Sequence, residues 1–152
     1  LCTLSLTSKG MYQNGESVVG LKQVPMTEVS AYGCVRTTSA PTASGEVTVT
    51  DVVEKPAMHE APSDLILIGR YVLHAGMFDL LDALKPAPSG EIQLTDALLI
   101  EAQAGDLFGV VSSIARFDTG TPMGWLQAVI ELTLQRKDAG AELEAWLKGK
   151  YS

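Results

Sequence analysis

Two adjacent residues of opposite charge, Glu54 and Lys55, close the apolar run "EVTVTDVVEKP", and Pro56 ends it. A carboxylate accepts hydrogen bonds from hydroxyl groups, and an ammonium neutralises a phosphate. Together they suit a sugar phosphate at the rim of a sheet, where ligands commonly bind beyond the carboxyl ends of strands. Side chains alternate along a strand, so both groups reach one ligand only if the strand stops between them. The plainer alternative is a solvated strand end with a proline stop. Asp118, in "RFDTGTP", is the next candidate. It falls between an apolar strand and a helix, where a carboxylate can hold a hard cation such as Mg2+ or can simply form an Asx turn or helix cap. Gly33, inside the predicted strand "EVSAYGCVRT", marks a bulge or a close approach of backbone to ligand.

Other polar groups read more quietly. Thr95 and Asp96, in "GEIQLTDA", sit where a helix start needs its free amides satisfied, and are assigned to capping. His59 and His74 have no ligating cluster around them and read as surface histidines. Cys2 and Cys34 are the only cysteines, too few for a disulfide framework and without zinc spacing. No Gly-x-Ser-x-Gly elbow, Walker loop or dinucleotide fingerprint occurs.

The elements that must position these residues follow from periodicity. "SVVGLKQVP", "EVSAYGCVRT", "EVTVTDVVEKP", "DLILIGRYVLH" and "LFGVVSSIARF" read as strands, the second and third pairing as a hairpin. Gly69 interrupts the fourth. "GMFDLLDALK" is helical, as is "EIQLTDALLIEAQAG", with Leu94, Ala97, Leu98 and Glu101 on one face and Gly105 as its stop. Thr121 caps a further helix with Pro122 at its first position. Leu126, Val129, Ile130 and Thr133 form the expected inner stripe of that helix. A last short helix packs Leu143, Trp146 and Leu147, and both Trp125 and Trp146 are assigned to the core. Strands early and helices late give an α/β class with a mixed sheet.

The chain has 152 residues, 46% hydrophobic and 19% charged, enough for one domain with its own core. A net charge of −7 with no basic run argues against nucleic acid or an anionic membrane as the main partner. No apolar stretch approaches the roughly 20 residues of a membrane-spanning helix. The opening "LCTLSLTSKG" does not read as a signal peptide, and the lack of an initiator Met suggests part of a longer chain.

Taken in order, "VSAYGCV", "VVEKP", "APSDLILIGRYVL", "GEIQLTDAL" and "FDTGTPMGWLQAVIE" resemble the carboxyl-terminal half of the bacterial UTP–glucose-1-phosphate uridylyltransferases, over residues 17–148. Residues 1–16 match poorly. The resemblance implies the carboxyl-terminal portion of a Rossmann-like, mixed-sheet α/β/α nucleotidyltransferase fold, within a single domain. It implies a cytoplasmic homodimer or homotetramer that makes UDP-glucose and pyrophosphate from UTP and glucose 1-phosphate with Mg2+. By the same resemblance Gly33 offers backbone to the sugar, Glu54 accepts from its hydroxyls and Lys55 meets its phosphate. The backbone around Leu67 and Gly69 touches the sugar again, and Asp118 binds metal. "DTGT" is closer to the glucose-1-phosphate thymidylyltransferases, so dTTP is an alternative nucleotide. A non-catalytic sugar-nucleotide-binding subunit is another. The family's G-x-G-T-R loop, which holds the triphosphate, is not in the sequence. The 152 residues are therefore expected not to transfer a nucleotide alone.

Overall fold

In the computed structural model, residues 16–38, 40–87, 90–113, 117 and 119–151 are described. The chain divides into two compact units, Leu1–Ser113 and Ile114–Ser152.

In the first unit, β1 (Ser17–Gln23) is followed by a 3-10 helix (Met26–Ala31), β2 (Gly33–Thr37), β3 (Glu46–Glu54) and β4 (Leu65–Val72). Two helices, α1 (Met77–Ala83) and α2 (Leu94–Ala104), precede β5 (Leu107–Val111). The strands hydrogen-bond in the order β1-β4-β2-β3-β5, and β5 returns to β1 to close the ring. Only β1 and β5 run parallel; the other pairs are antiparallel. The sheet is mixed, as expected, but it closes rather than staying open between helical layers. The long strand β3 makes closure possible by serving two neighbours in turn. Glu46, Val47 and Thr48 pair with β5, and residues from Val49 to Glu54 pair with β2.

The apolar run at the start of β1 is buried from Ser17 to Leu21, the signature of a strand covered on both faces. On one face Val19, Leu21, Val35, Val49, Leu67, Leu98 and Leu107 share a core; on the other, Val29 of the 3-10 helix packs with Cys34 and Ile66. That second cluster explains one departure from expectation. Residues 28–32 do not continue β2: Glu28 N–H donates to Pro25 C=O at 2.8 Å, Tyr32 N–H donates to Val29 C=O at 3.0 Å, and the segment coils. Its only buried residue is Val29, so its pattern lacks the alternation of a strand. Gly33 is thus the first residue of β2 rather than an interior one.

The join between β2 and β4 is narrow. Cys34 and Ile66 are its one registered pair, and Ser63 supplements it by donating from Oγ to Val35 C=O at 2.6 Å.

Within β4, Gly69 has φ +68°, and no atom lies within 4 Å of where its Cβ would be. Space is free, so the requirement is conformational. The register to β1 confirms an irregularity there, because Leu67 pairs with Leu21 while Tyr71 pairs with Val19. Gly69→Ala should cost about 1–2 kcal/mol, the penalty of a left-handed L-residue, read as a lower urea midpoint with an unchanged slope.

The second unit contains α3 (Pro122–Leu134) and α4 (Gly140–Tyr151). Thr121 caps α3 as expected, its Oγ1 accepting from Gly124 N–H at 3.1 Å. The expected inner stripe is not inside. Gly124 and Ala128 are the buried residues of α3, while Leu126 and Val129 are exposed, as are Trp125 and Trp146. Periodicity located an apolar stripe; it carried no information about what covers it.

Candidate functional site

The antiparallel register of β2 and β3 sets Gly33 directly opposite Glu54. On the other flank of β2, the Cys34–Ile66 pair brings Leu67 alongside. The meeting is close: a methyl group added at Gly33 would lie 3.0 Å from Glu54 Oε2 and 3.0 Å from Leu67 Cδ1. Glycine here keeps open a space bounded by one carboxylate and one apolar side chain. Three residues expected at a sugar site, drawn from three strands, therefore converge.

Thr95 joins them. Its Cγ2 would stand 3.3 Å from the same added methyl. The capping role expected for Thr95 or Asp96 does not occur, because α2 begins at Leu94 with Gln93 as N-cap and no side-chain cap. Thr95 is already inside the first turn, and its Oγ1 lies 3.5 Å from Gln93 Oε1. A threonine next to a helix start signals a cap locally; only the packing of α2 on β3 redirects it to the site.

Lys55 answers the alternation problem. It is the one described non-glycine residue with positive φ, at 43°. The left-handed residue turns the chain out of the pleat, with Lys55 N–H donating to Tyr32 C=O at 3.1 Å. The side chain is then free to swing toward its neighbour: Nζ lies 3.9 Å from Glu54 Oε1. Lys55 is about two-thirds exposed and Glu54 one-third. The pair is a loose surface ion pair, worth little to stability. Residues in this sparsely populated conformation concentrate at functional sites, where strain holds a side chain in place.

Glu54 also sets the local electrostatics. Burial pushes the Cys34 thiol up, and the Glu54 charge raises it further. The same two causes, in the same order, raise the Tyr71 phenol. Cys34 stays a neutral thiol, with Sγ 3.5 Å from Val29 C=O. The cluster thus carries a negative charge on Glu54 and a positive one on Lys55, 3.9 Å apart.

Asp118 lies outside the described residues, as does Cys2. Among the described residues, no group of three or more His, Cys, Asp or Glu is placed to hold a metal ion. Gly69 lies at the β4 irregularity, two residues beyond Leu67. His59 is exposed beside Glu60. His74, expected at the surface, is instead largely covered and faces the buried carboxylate of Glu101.

The mixed α/β scaffold thus gathers a carboxylate, a lysine and an open glycine at strand ends. The nucleotidyl transferase family model matches residues 8–135, and the chain belongs to that family. It is 39% identical over 127 residues to the UTP–glucose-1-phosphate uridylyltransferase of Escherichia coli (strain K12), covering 82% of this chain and 41% of the relative. Against the enzyme of the same name from Pseudomonas aeruginosa it is 38% identical over 118 residues, 74% of this chain and 39% of that one. Among solved structures, a UTP-bound UDP-glucose pyrophosphorylase from Acinetobacter baumannii superimposes with a TM-score of 0.81 at 29% identity, over 99% of this chain and 50% of that one. A UDP-glucose pyrophosphorylase complexed with UDP-glucose gives 0.76 at 32% identity, over 88% and 50%. The chain thus spans half or less of the length of these relatives. Its expected placement as their carboxyl-terminal half is not supported by the matches.

Proposed function

We propose that the Gly33–Glu54–Lys55–Leu67 cluster is the sugar-1-phosphate site of a nucleotidyltransferase of the UDP-glucose pyrophosphorylase type. The observation that carries this reading is the convergence of Gly33, Glu54 and Leu67 from three strands, with Lys55 held beside Glu54 by a left-handed residue. The similarity to uridylyltransferases supports glucose 1-phosphate and UTP as substrates.

In this reaction a phosphate oxygen of glucose 1-phosphate attacks the α-phosphorus of UTP, and pyrophosphate leaves. Two polyanions must approach each other, so positioning and charge neutralisation supply most of the rate. Lys55 Nζ offsets the charge of the attacking phosphate. Glu54 accepts from sugar hydroxyls and fixes the ring, while Gly33 leaves the backbone bare so that the ring can approach. Leu67 supplies an apolar wall, and Thr95 closes the far side.

Mg2+ in such a reaction supplies a counter-charge to the triphosphate. The described residues do not form a cage for it, so no step is assigned through it; Asp118 is the candidate ligand. The intact enzyme is read as a cytoplasmic homo-oligomer. The 152 residues hold the sugar side of the reaction and are read as inactive in nucleotide transfer alone.

Titration calorimetry of the chain with glucose 1-phosphate and with UTP tests this. Saturable binding of glucose 1-phosphate, with no UDP-glucose formed when both are present, is the expected result. No binding of glucose 1-phosphate would overturn the site, and turnover by the purified chain would overturn its inactivity alone.

A further inference from the structure

Among the described residues, Glu101 is the one buried charged residue, 3% exposed. It sits on the buried side of α2 with Ala97, Leu98 and Ala102. One carboxylate oxygen, Oε1, abuts His74 Nε2. Oε2 has no hydrogen-bond partner among the described residues, and Oε1 has only its short contact with His74 Nε2. A buried carboxylate so poorly supplied is costly, and leucine would serve packing better. Its presence there calls for a role other than stability.

His74 is held for this contact. Its Nδ1 accepts from Gly76 N–H at 3.0 Å, which places the ring proton on Nε2, facing Glu101. Its own N–H donates to the buried Ser17 Oγ at 3.4 Å. A Cβ at residue 76 would strike the imidazole at 2.6 and 2.9 Å, so glycine is needed for the ring to lie there. Backbone on both sides therefore aims the imidazole at α2.

α2 needs such a contact. It has no side-chain cap at its start, and two of its buried residues are alanines. Apolar burial is non-directional, and alanines give little resistance to rotation of a helix on its seat. Glu101 lies about 120° round the axis from Thr95 and about 9 Å along it. Holding Glu101 against His74 therefore sets the azimuth of Thr95, which faces Gly33, Glu54 and Leu67.

We propose that His74 and Glu101 are positioning residues for the sugar site: their contact fixes the rotation of α2 and with it the placement of Thr95. The function rests on the site reading above; the geometry does not.

The test uses Glu101→Leu and Glu101→Gln in this chain. Glu101→Leu removes a buried carboxylate that lacks a full set of partners, so it should keep its melting temperature or raise it. Its affinity for glucose 1-phosphate should nevertheless fall about tenfold, because a loosened supporting shell misplaces the group it carries. In the ligand-free protein, the nuclear Overhauser effect between the methyls of Thr95 and Leu67, which both border the space beside Gly33, should weaken. Glu101→Gln keeps an oxygen acceptor for Nε2–H and should restore both. A Glu101→Leu protein that retains wild-type affinity, or an undiminished Thr95–Leu67 contact, overturns the proposal. If the wild-type chain does not bind glucose 1-phosphate, the site reading fails, and the Thr95–Leu67 contact still decides the clamp.

Discussion

Lys55→Met should weaken the binding of glucose 1-phosphate by about 10- to 100-fold, the range for losing one charge-assisted contact of 1.5–3 kcal/mol. Inorganic phosphate should lose affinity by a similar factor, because Nζ reads charge and not the sugar. Methionine keeps an unbranched stem of similar length, so its effect isolates the ammonium. The left-handed backbone at residue 55 must still be satisfied by the substitute. Lys55→Asn serves as a control, since asparagine tolerates that conformation and also lacks the charge. Both variants should fold, because the ion pair to Glu54 is long and exposed. Titration calorimetry with the two ligands reads the result. Equal affinity of wild type and both variants for glucose 1-phosphate would remove Lys55 from the site.

Glu54→Gln separates the sugar from its phosphate. An amide presents one acceptor where the carboxylate presents two oxygens, and its NH2 group donates toward hydroxyls that also need to donate. Glucose 1-phosphate should bind about 10- to 100-fold more weakly, again the value of hydrogen bonds to a charged group. Inorganic phosphate should bind as well as before or better, because the nearest negative charge to Lys55 is gone. Comparable losses for both ligands would refute the division of labour between the two side chains. The same substitution has a ligand-free signature. Glu54 raises the Cys34 thiol and the Tyr71 phenol, second to burial in each case. Both groups should therefore titrate at lower pH in Glu54→Gln than in wild type, while staying above their ordinary values because burial persists. The difference in ultraviolet titration between proteins with and without Tyr71→Phe isolates Tyr71 from the other three tyrosines.

The sequence made parts of this site legible for local reasons. Valines on alternate positions and the closing proline locate the end of β3, and the charge pair stands there by inspection. Gly33 stood out because glycine inside an apolar strand needs a reason, although the reason found is the space it leaves before Glu54 and not a bulge. What the sequence could not carry were facts created by distant packing. The turn of Lys55 out of the pleat depends on one dihedral angle fixed by a bond to Tyr32 C=O. Thr95 carries a strong local signal for capping, and the helix starts two residues earlier than a cap at Thr95 would place it. His74 meets its carboxylate on another element, so no local window contains the pair. The exposed stripe of α3 belongs to the same class: its spacing was correct, and its burial was not a property of the helix.

The narrow join between β2 and β4 bears on how a ligand would be felt by the fold. Amide exchange reports the free energy needed to part each stretch of backbone, and a seam with a single registered pair is where the ring breathes most cheaply. Gly33 stands on one bank of that seam and Leu67 on the other. A molecule touching both banks would bridge this seam, so its binding should slow amide exchange along β2 and β4.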